Sequence, residues 1–258
     1  MTTTLAAHGR YRFSQVARME WIKLRSLRST WWVLAATVAG AVAIAVAVGV
    51  NTEDAAADLT NNALAGISLG LLLVGVLGVL VMTGEYTSGT ITTTLAAVPN
   101  RPLLLAAKAA VLGVVALAAG EAAGFIAFFA GGAALPAGIA GPSLGQPGVL
   151  RAVMLSGAGF CLVGLIGLGL GAMIRHTPAA IAVLVGGVYV VAQFVAVLTH
   201  SLMAYLPIAI VANSLTVVRP IAEDQVVFLS PWAGLGVLCL YAAGTLGAGA
   251  WLLARRDV

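Results

Sequence analysis

The one carboxylate that stands deep inside a long apolar stretch of this chain is Glu121. The apolar residues around it favour insertion into lipid by roughly 3 to 5 kcal/mol, whereas an ionised carboxylate at the centre of a bilayer costs about 3 kcal/mol. Because the two terms nearly cancel, we expect Glu121 to face the interior of a helix bundle and not lipid. There it is either protonated and hydrogen-bonded, or it lines a polar cavity.

The usual residue sets for catalysis and metal binding are missing from the sequence. Its only lysines, Lys23 and Lys108, do not follow glycine, so no G-x-x-x-x-G-K-[ST] nucleotide-binding loop is present. An intramembrane serine protease needs a histidine within reach, but His8, His176 and His200 lie in the amino-terminal tail or at span ends. No apolar stretch contains an aspartate, whereas an intramembrane aspartyl protease needs two. Cys161 and Cys239 lie in apolar runs, where thiols act as small hydrophobic groups. We therefore expect no catalytic residue, no metal site and no disulfide.

The composition indicates that these residues are positioned by helices in a membrane. Hydrophobic residues make up 61% of the 258 residues and charged ones 9%, with a mean hydropathy of +1.05. A soluble domain needs far more polar surface, whereas lipid requires the opposite. The net charge of +4 does not indicate nucleic-acid binding, because no separate polar, basic domain is present to provide it.

Six apolar stretches are long enough to cross a bilayer as helices. They lie at about 31–50, 64–83, 103–130, 151–174, 178–200 and 231–254. The predicted fold is all-α: a single transmembrane domain over residues 1–258 with six transmembrane helices.

Basic residues predict that both termini are cytoplasmic. In that topology 11 of the 13 Lys and Arg residues are inside, as the positive-inside rule requires. These are Arg10, Arg12, Arg18, Lys23, Arg25, Arg28, Arg101, Lys108, Arg175, Arg255 and Arg256. The outer connections hold Arg151 and Arg219 together with five acids, Glu53, Asp54, Asp58, Glu223 and Asp224.

The segment 10–30 is predicted to form an amphipathic helix at the inner membrane interface. Its apolar face comprises Phe13, Val16, Ala17, Leu24, Leu27 and Trp31. Glu20 interrupts that face, and two interpretations remain: a local pair with Lys23, or a contact with a partner protein.

Two further patterns leave alternatives open. The apolar segment from Met203 to Val218 is too short to cross the bilayer, so it is a re-entrant or interfacial element, or else a disordered extension of the fifth span. Small residues four apart at Gly66 and Gly70, at Gly120 and Gly124, and at Gly167 and Gly171 fit a dimer interface and an ordinary bundle equally well.

Two inner segments carry a resemblance to a known family. They are Met19 to Trp32, which reads MEWIKLRSLRSTWW, and Gly84 to Lys108, which reads GEYTSGTITTTLAAVPNRPLLLAAK. With the basic interfacial helix and six spans, they resemble the permease subunits of type-2 ATP-binding-cassette (ABC) exporters of high-GC actinobacteria, over essentially the whole chain. The most specific part is the spacing of Glu85, Gly89, Thr90, Pro99, Arg101 and Lys108.

The resemblance implies that the connection between spans two and three docks into a cleft on a separate ATPase subunit. The residues assigned to this coupling are Gly84, Glu85, Tyr86, Gly89, Thr90, Pro99 and Arg101, together with Glu20. A short helix that follows a break at Gly89 and closes before Pro99 acts there as a lever. Many relatives carry charges where this chain has Thr92 to Thr94, so docking is expected to depend less on ion pairs.

The same resemblance implies a second permease copy or homologue, a bacterial plasma membrane, and ATP and Mg²⁺ held by the partner ATPase. This chain would then be non-catalytic and bind no cofactor. The uncharged interior favours a lipophilic substrate such as a drug, an antibiotic or a lipid. The alternatives are a proton- or ion-coupled secondary transporter, in which Glu121 takes part, a structural membrane subunit, and an intramembrane enzyme.

Overall fold

The computed structural model of the chain describes residues 12–54, 57–190, 194, 202, 204–218 and 228–255. All regular structure in these residues is helical. The helices are α1 (Phe13–Ser26), α2 (Arg28–Val50), α3 (Leu59–Ala63), α4 (Ile67–Thr87), α5 (Thr90–Ala97), α6 (Arg101–Ala133), α7 (Val149–Ile174), α8 (Thr177–Val185), α9 (Pro207–Leu215) and α10 (Pro231–Arg255). A π-helical turn, Gly186–Val190, follows α8.

Five of the described helices, α2, α4, α6, α7 and α10, are long and apolar enough to cross a membrane. This confirms the predicted all-helical fold in the described residues and, by the length and composition of these helices, indicates a membrane-embedded protein. Of the predicted span 178–200, the structure describes α8, the π-helical turn and Phe194, and the remainder lies outside the described residues. The longest helix is α6, whose 33 residues extend the predicted span by two residues at its start and three at its end.

The predicted interfacial helix 10–30 ends earlier than predicted, and its residues 10 and 11 lie outside the described residues. Helix α1 ends at Ser26, Leu27 is extended, and α2 begins at Arg28. Of the predicted apolar face, Val16 and Leu24 are buried and Ala17 is partly buried, whereas Phe13, Leu27 and Trp31 are exposed. The side of α1 that is buried against the bundle is formed by Val16, Glu20 and Leu24, so Glu20 lies at the centre of that side. A charged residue takes this place because the bundle supplies its partners.

Helix α7 is the central element and packs against α4, α6 and α10. Glycines allow the close approach. A β-carbon at Gly167 would collide with the carbonyl oxygen of Gly75 in α4, and one at Gly120 in α6 would lie 2.7 Å from Cβ of Phe160. All three small-residue pairs face neighbouring helices of the same chain. The tertiary structure therefore uses them to build the bundle itself.

At the end of the bundle opposite α1, hydrogen bonds tie the last turn of α9 and the residues after it to two other elements. Oδ2 of Asp58 accepts from the backbone N–H groups of Val217 and Val218 at 2.6 and 2.9 Å, while its Oδ1 caps α3. The guanidinium of Arg151 donates to the carbonyl oxygens of Ser214 and Thr216 at 3.3 and 3.0 Å. Arg151 thus fixes residues 214 and 216, and Asp58 fixes residues 217 and 218.

The short apolar segment predicted from Met203 to Val218 contains α9, although Met203 itself lies outside the described residues. Its nine residues are too few to cross a bilayer. An extended residue, Leu206, precedes it, so α9 is a helix of its own and not the end of the preceding one. Ile210 and Val211 are buried between α7 and α10.

Replacement of Asp58 by Ala is expected to loosen this segment. It removes an ionised acceptor from two backbone N–H groups, and hydrogen bonds to charged groups contribute about 1.5 to 3 kcal/mol each. Hydrogen exchange followed by mass spectrometry should therefore show peptides covering 211–218 exchanging at least about tenfold faster. Glu53→Ala, which changes an exposed acid in the same connection, is the control. Unchanged exchange in Asp58→Ala would show that these bonds do not hold the segment.

Candidate functional site

Four charged side chains from three helices meet at the end of the bundle where α1 lies. The Nζ atom of Lys108 in α6 lies 2.6 Å from Oε2 of Glu20 in α1 and 2.6 Å from Oε1 of Glu85 in α4. The Nζ atom of Lys23 lies 2.9 Å from Glu85 Oε1 and 3.3 Å from Glu20 Oε1. These four residues form the ion-pair cluster, in which two acids balance two lysines.

The ion-pair cluster is largely shielded from solvent. The exposed fraction is 1% for Lys108, 4% for Glu20 and 12% for Glu85, but 36% for Lys23. Burying a charge costs several kcal/mol, which only close partners and further hydrogen bonds offset. The two carboxylates therefore stabilise the buried positive charge of Lys108. Removal of Lys108 would leave buried negative charge on Glu20 and Glu85.

Lys23 forms the more accessible side of the ion-pair cluster. It donates hydrogen bonds to Glu20, to Glu85 and, at 3.0 Å, to Oγ1 of Thr94 in α5. Burial alone disfavours its charged form, but the hydrogen bonds and charges of Glu85 and Glu20 prevail and raise the pKa of Lys23 above its ordinary value. Lys23 is therefore protonated at physiological pH and links α1 to both α4 and α5.

Local sequence explains how these side chains reach one another. Helix α4 continues to Thr87, beyond the predicted end of the span at residue 83, so Glu85 lies in its last turn. Lys108 lies two turns inside α6, in a helix that begins at Arg101 behind an Asn100 cap. Glu20 and Lys23 are three residues apart in α1 and so share one face.

The two interpretations of Glu20 can now be weighed. It does contact Lys23, but its shorter bond is to Lys108 of the same chain. At 4% exposure it does not present its carboxylate to the surface. Glu20 therefore acts from inside the fold, by holding α1 against α6.

The predicted short helix between the second and third spans is present as α5. Gly89 precedes it with a positive φ of 71°, a backbone conformation that favours glycine. The helix ends at Ala97, before Pro99, as expected. Ile91 and Thr94 are buried, whereas Thr90, Thr92 and Thr93 are exposed. Helix α5 thus offers an uncharged hydroxyl-bearing surface at the end of the bundle.

Tyr86 and Arg101 lie beside the ion-pair cluster, where the ends of four helices meet. Arg101 donates to the carbonyl oxygen of Leu253 in α10 at 2.7 Å, and Arg175 donates to that of Leu252 at 3.4 Å. The guanidinium of Arg175 also lies 5.4 Å from the centre of the Tyr86 ring. Basic groups at the carboxyl end of a helix complement its dipole, so these contacts fasten the end of α10 to the bundle.

The eight predicted coupling residues therefore divide into two groups. Gly84, Gly89, Thr90 and Pro99 are exposed. Glu20, Glu85, Tyr86 and Arg101 are wholly or partly buried and hold helices together. The sequence prediction brought these residues to one end of the bundle but did not distinguish their roles.

The predicted coupling residues do not include Lys23, Lys108, Thr94 and Arg175, although Lys108 is part of the pattern that carries the resemblance and Lys23 was considered as a partner of Glu20. The sequence could have indicated the lysines as site residues. The chain has only two lysines, and each lies in a segment that also contains an acidic residue. A buried charge needs a partner of opposite sign, so pairing was foreseeable. Which acid would meet which lysine depended on how α1 packs.

Glu121 lies far from the ion-pair cluster, in the middle of α6 and against Gly157 of α7. Its side chain is half-buried, and its buried Oε2 atom has no hydrogen-bond partner among the residues that the structure describes. One side of Glu121 faces the neighbouring helix α7.

A cavity of about 430 Å³ lies between α1, α4 and α6. The four residues of the ion-pair cluster line one part of it, and apolar side chains such as Leu80, Val111 and Leu112 line another. The cavity therefore combines charged and apolar walls. Among the described residues, no group of three or more His, Cys, Asp or Glu side chains is placed to hold a metal ion.

No protein-family model matches the chain, and no curated protein matches it either.

Proposed function

We propose that this chain is the membrane-spanning subunit of an ATP-driven exporter of the ABC-2 type, with ATP and Mg²⁺ bound by a separate ATPase subunit. The observation that carries this proposal is the arrangement at one end of the bundle. The short helix α5, which has an exposed face, connects α4 to α6. The ion-pair cluster binds the basic helix α1 to both α4 and α6.

This arrangement suits the transfer of motion from a soluble motor. A force on α5 reaches α4 through Gly89 and reaches α6 through the three residues before Arg101. The same force reaches α1 through the bond between Thr94 and Lys23. Closure of the ATPase would thus move α1, α4 and α6 together and drive a lipophilic substrate outward.

The proposal includes six crossings with both termini in the cytoplasm of a bacterial plasma membrane. The hydroxyl groups of Thr177 and Thr87 lie 3.4 Å apart, which places the start of α8 at the end that carries the ion-pair cluster. Asp58 holds Val217 at the opposite end. The start of α8 and the residues that follow α9 therefore lie at opposite ends of the bundle, which supports a sixth crossing.

Aromatic residues on α10 support this placement in a membrane. Trp232 and Trp251 are 67% and 53% exposed and stand 19 positions apart, or ~28 Å along a helix. That distance matches the hydrocarbon thickness of a bilayer, at whose two boundaries Trp is enriched. The guanidinium of Arg255 lies 4.3 Å from the Trp251 ring centre, as expected at the inner boundary.

Affinity purification of the detergent-solubilised chain from its native host, followed by mass spectrometry, tests the proposal. We expect a P-loop ATPase to co-purify. The double variant Thr92→Arg/Thr93→Arg should abolish its recovery, because the two bulky cations replace small hydroxyl groups on the exposed side of α5. These positions are better targets than Glu85, whose loss would disturb the ion-pair cluster.

Gly145→Arg/Gln146→Arg, in the exposed loop at the other end of the bundle, should leave recovery of the ATPase intact. Equal recovery with both double variants would show that α5 is not the coupling surface. Recovery of the chain alone, from unaltered protein under gentle conditions, would contradict the exporter proposal. It would favour proton- or ion-coupled secondary transport, with Glu121 as the residue to test.

A further inference from the structure

The outer face of α1 carries two arginines that no acid of the described residues neutralises. Arg18 and Arg25 stand seven positions apart, about two helical turns, and therefore share one side of the helix. Both are exposed, on the side opposite to the buried Val16, Glu20 and Leu24. Neither arginine forms an ion pair within the part of the chain that the structure describes. Their charges are therefore open to a further partner.

The acids of the described residues are either balanced already or distant from this face. Glu20 and Glu85 are paired with the two lysines of the ion-pair cluster, and Glu121 lies in the middle of α6. The remaining described acids, Glu53, Asp54 and Asp58, follow α2 at the opposite end of the bundle. The end that carries α1 thus has an excess of positive charge. All of that excess is arginine, because both lysines of the chain belong to the ion-pair cluster.

Apolar side chains beside the arginines indicate where this face lies. Trp21 and Ile22 stand between the two arginines in the sequence and are 39% and 57% exposed. Trp31 and Trp32, near the start of the apolar helix α2, are also exposed, and tryptophan is enriched where a membrane meets water. The indole N–H of Trp31 donates to the carbonyl oxygen of Arg25 at 3.1 Å. This bond fixes the last turn of α1 beside the start of α2, at the level of lipid headgroups.

The chemistry of this face selects its partner. A guanidinium group forms paired, parallel hydrogen bonds to a phosphate. In a zwitterionic phospholipid the lipid's own ammonium group balances the phosphate, whereas an anionic phospholipid keeps its charge for the protein. An acidic soluble protein would satisfy the arginines but would place polar surface against Trp21 and Ile22. Lipid chains cover such side chains, as they do on basic amphipathic helices at membrane surfaces.

We propose that the outer face of α1 binds the headgroups of anionic phospholipids. Arg18 and Arg25 donate to the lipid phosphates, and Trp21 and Ile22 contact the upper part of the acyl chains. The bound lipid anchors α1, which the ion-pair cluster joins to α4 and α6. The binding surface is independent of the exporter proposal, because it needs no ATPase.

Native mass spectrometry of the full-length chain in detergent micelles tests this surface, because it counts the lipids that stay bound. Phosphatidylglycerol and phosphatidylcholine with identical acyl chains are titrated separately. We expect phosphatidylglycerol to bind with an apparent affinity at least about tenfold higher, the preference expected when two basic residues contact an anionic lipid.

The variant Arg18→Gln/Arg25→Gln removes both charges and leaves every member of the ion-pair cluster in place. Its affinity for phosphatidylglycerol should fall at least about tenfold, whereas its affinity for phosphatidylcholine should not change. Because both side chains are exposed, the melting temperature in detergent without lipid should equal that of the unaltered chain. This measurement separates a loss of lipid binding from a loss of folding.

A charge-matched variant is the control. Adding Gly145→Arg/Gln146→Arg to the glutamine variant restores the net charge of the chain, but in the exposed loop at the other end of the bundle. This variant should bind phosphatidylglycerol as weakly as Arg18→Gln/Arg25→Gln does. Recovery of tight binding would show that the lipid responds to net charge alone, and would overturn the site.

Two further results would also overturn the site. One is equal affinity of the unaltered chain for the two lipids. The other is a glutamine variant that keeps its phosphatidylglycerol but no longer co-purifies with an ATPase, which would show that this face binds an acidic protein. The lipid proposal and the exporter proposal fail separately, since none of the lipid titrations requires an ATPase.

Discussion

Replacement of Lys108 by Met is expected to destabilise the protein by about 3 to 5 kcal/mol, the usual cost of removing one partner from a buried ion pair. Lys108 is 1% exposed and neutralises both Glu20 and Glu85. Without it, Glu20 keeps only its longer contact with Lys23, and two buried carboxylates share one cation. The apparent melting temperature of the detergent-purified protein should fall by on the order of 10 °C.

Lys23→Met is the matched control, because it removes the other cation of the same ion-pair cluster. Lys23 is 36% exposed, so solvent screens its charge and the cost should be about 1 kcal/mol. Adding Glu20→Gln to Lys108→Met should recover part of the loss, since it removes one unpaired charge. Equal melting temperatures for the two single lysine variants would refute the central role of Lys108.

Replacement of Gly167 by Ala is expected to separate α7 from α4 and to cost about 3 kcal/mol, the upper end of the range for overpacked cores. Its β-carbon would meet the carbonyl oxygen of Gly75 and lie 3.3 Å from the backbone nitrogen of Val79. Backbone atoms cannot rotate away as side chains do, so the helices themselves must move. The melting temperature of the detergent-purified protein should fall, and so should the yield of monodisperse protein after solubilisation, which size-exclusion chromatography with fluorescence detection measures.

The control is Gly244→Ala in α10, where the new β-carbon meets nothing within 4 Å. Both changes replace a helical glycine with the same residue, so they share any effect on helix propensity. We expect Gly244→Ala to change the melting temperature by no more than the equivalent of about 1 kcal/mol. A similar loss in both variants would mean that close packing of α4 and α7 is not the cause.

The helical, membrane-spanning character of the chain was predictable because it depends on local composition. Stretches of about 20 apolar residues leave the backbone no stable alternative to helix in lipid. The start of α5 after Gly89 and its end before Pro99 were also predictable, since backbone conformation at glycine and proline is largely local. The break at Leu27 carried no such signal, as neither glycine nor proline is near it.

The candidate site was only partly predictable. Sequence placed Glu85, Gly89 and Arg101 on one connection, and this placement rested on residue types and order. It did not reveal that Glu20 points inward, because an acid on an apolar helix face looks like an interruption until its partner is known. That partner, Lys108, is 88 residues away, and no local pattern links the two.

The sequence by itself determined that this chain forms apolar helices with its basic residues collected toward one side, since both properties are sums over short segments. Only the tertiary structure decided which charges neutralise one another, which glycines allow helices to touch, and where a cavity remains. Those outcomes depend on distances between segments far apart in the chain. They are set by the packing of α1, α4, α6 and α7, in which each buried charge must find its partner and each close contact must lack a side chain.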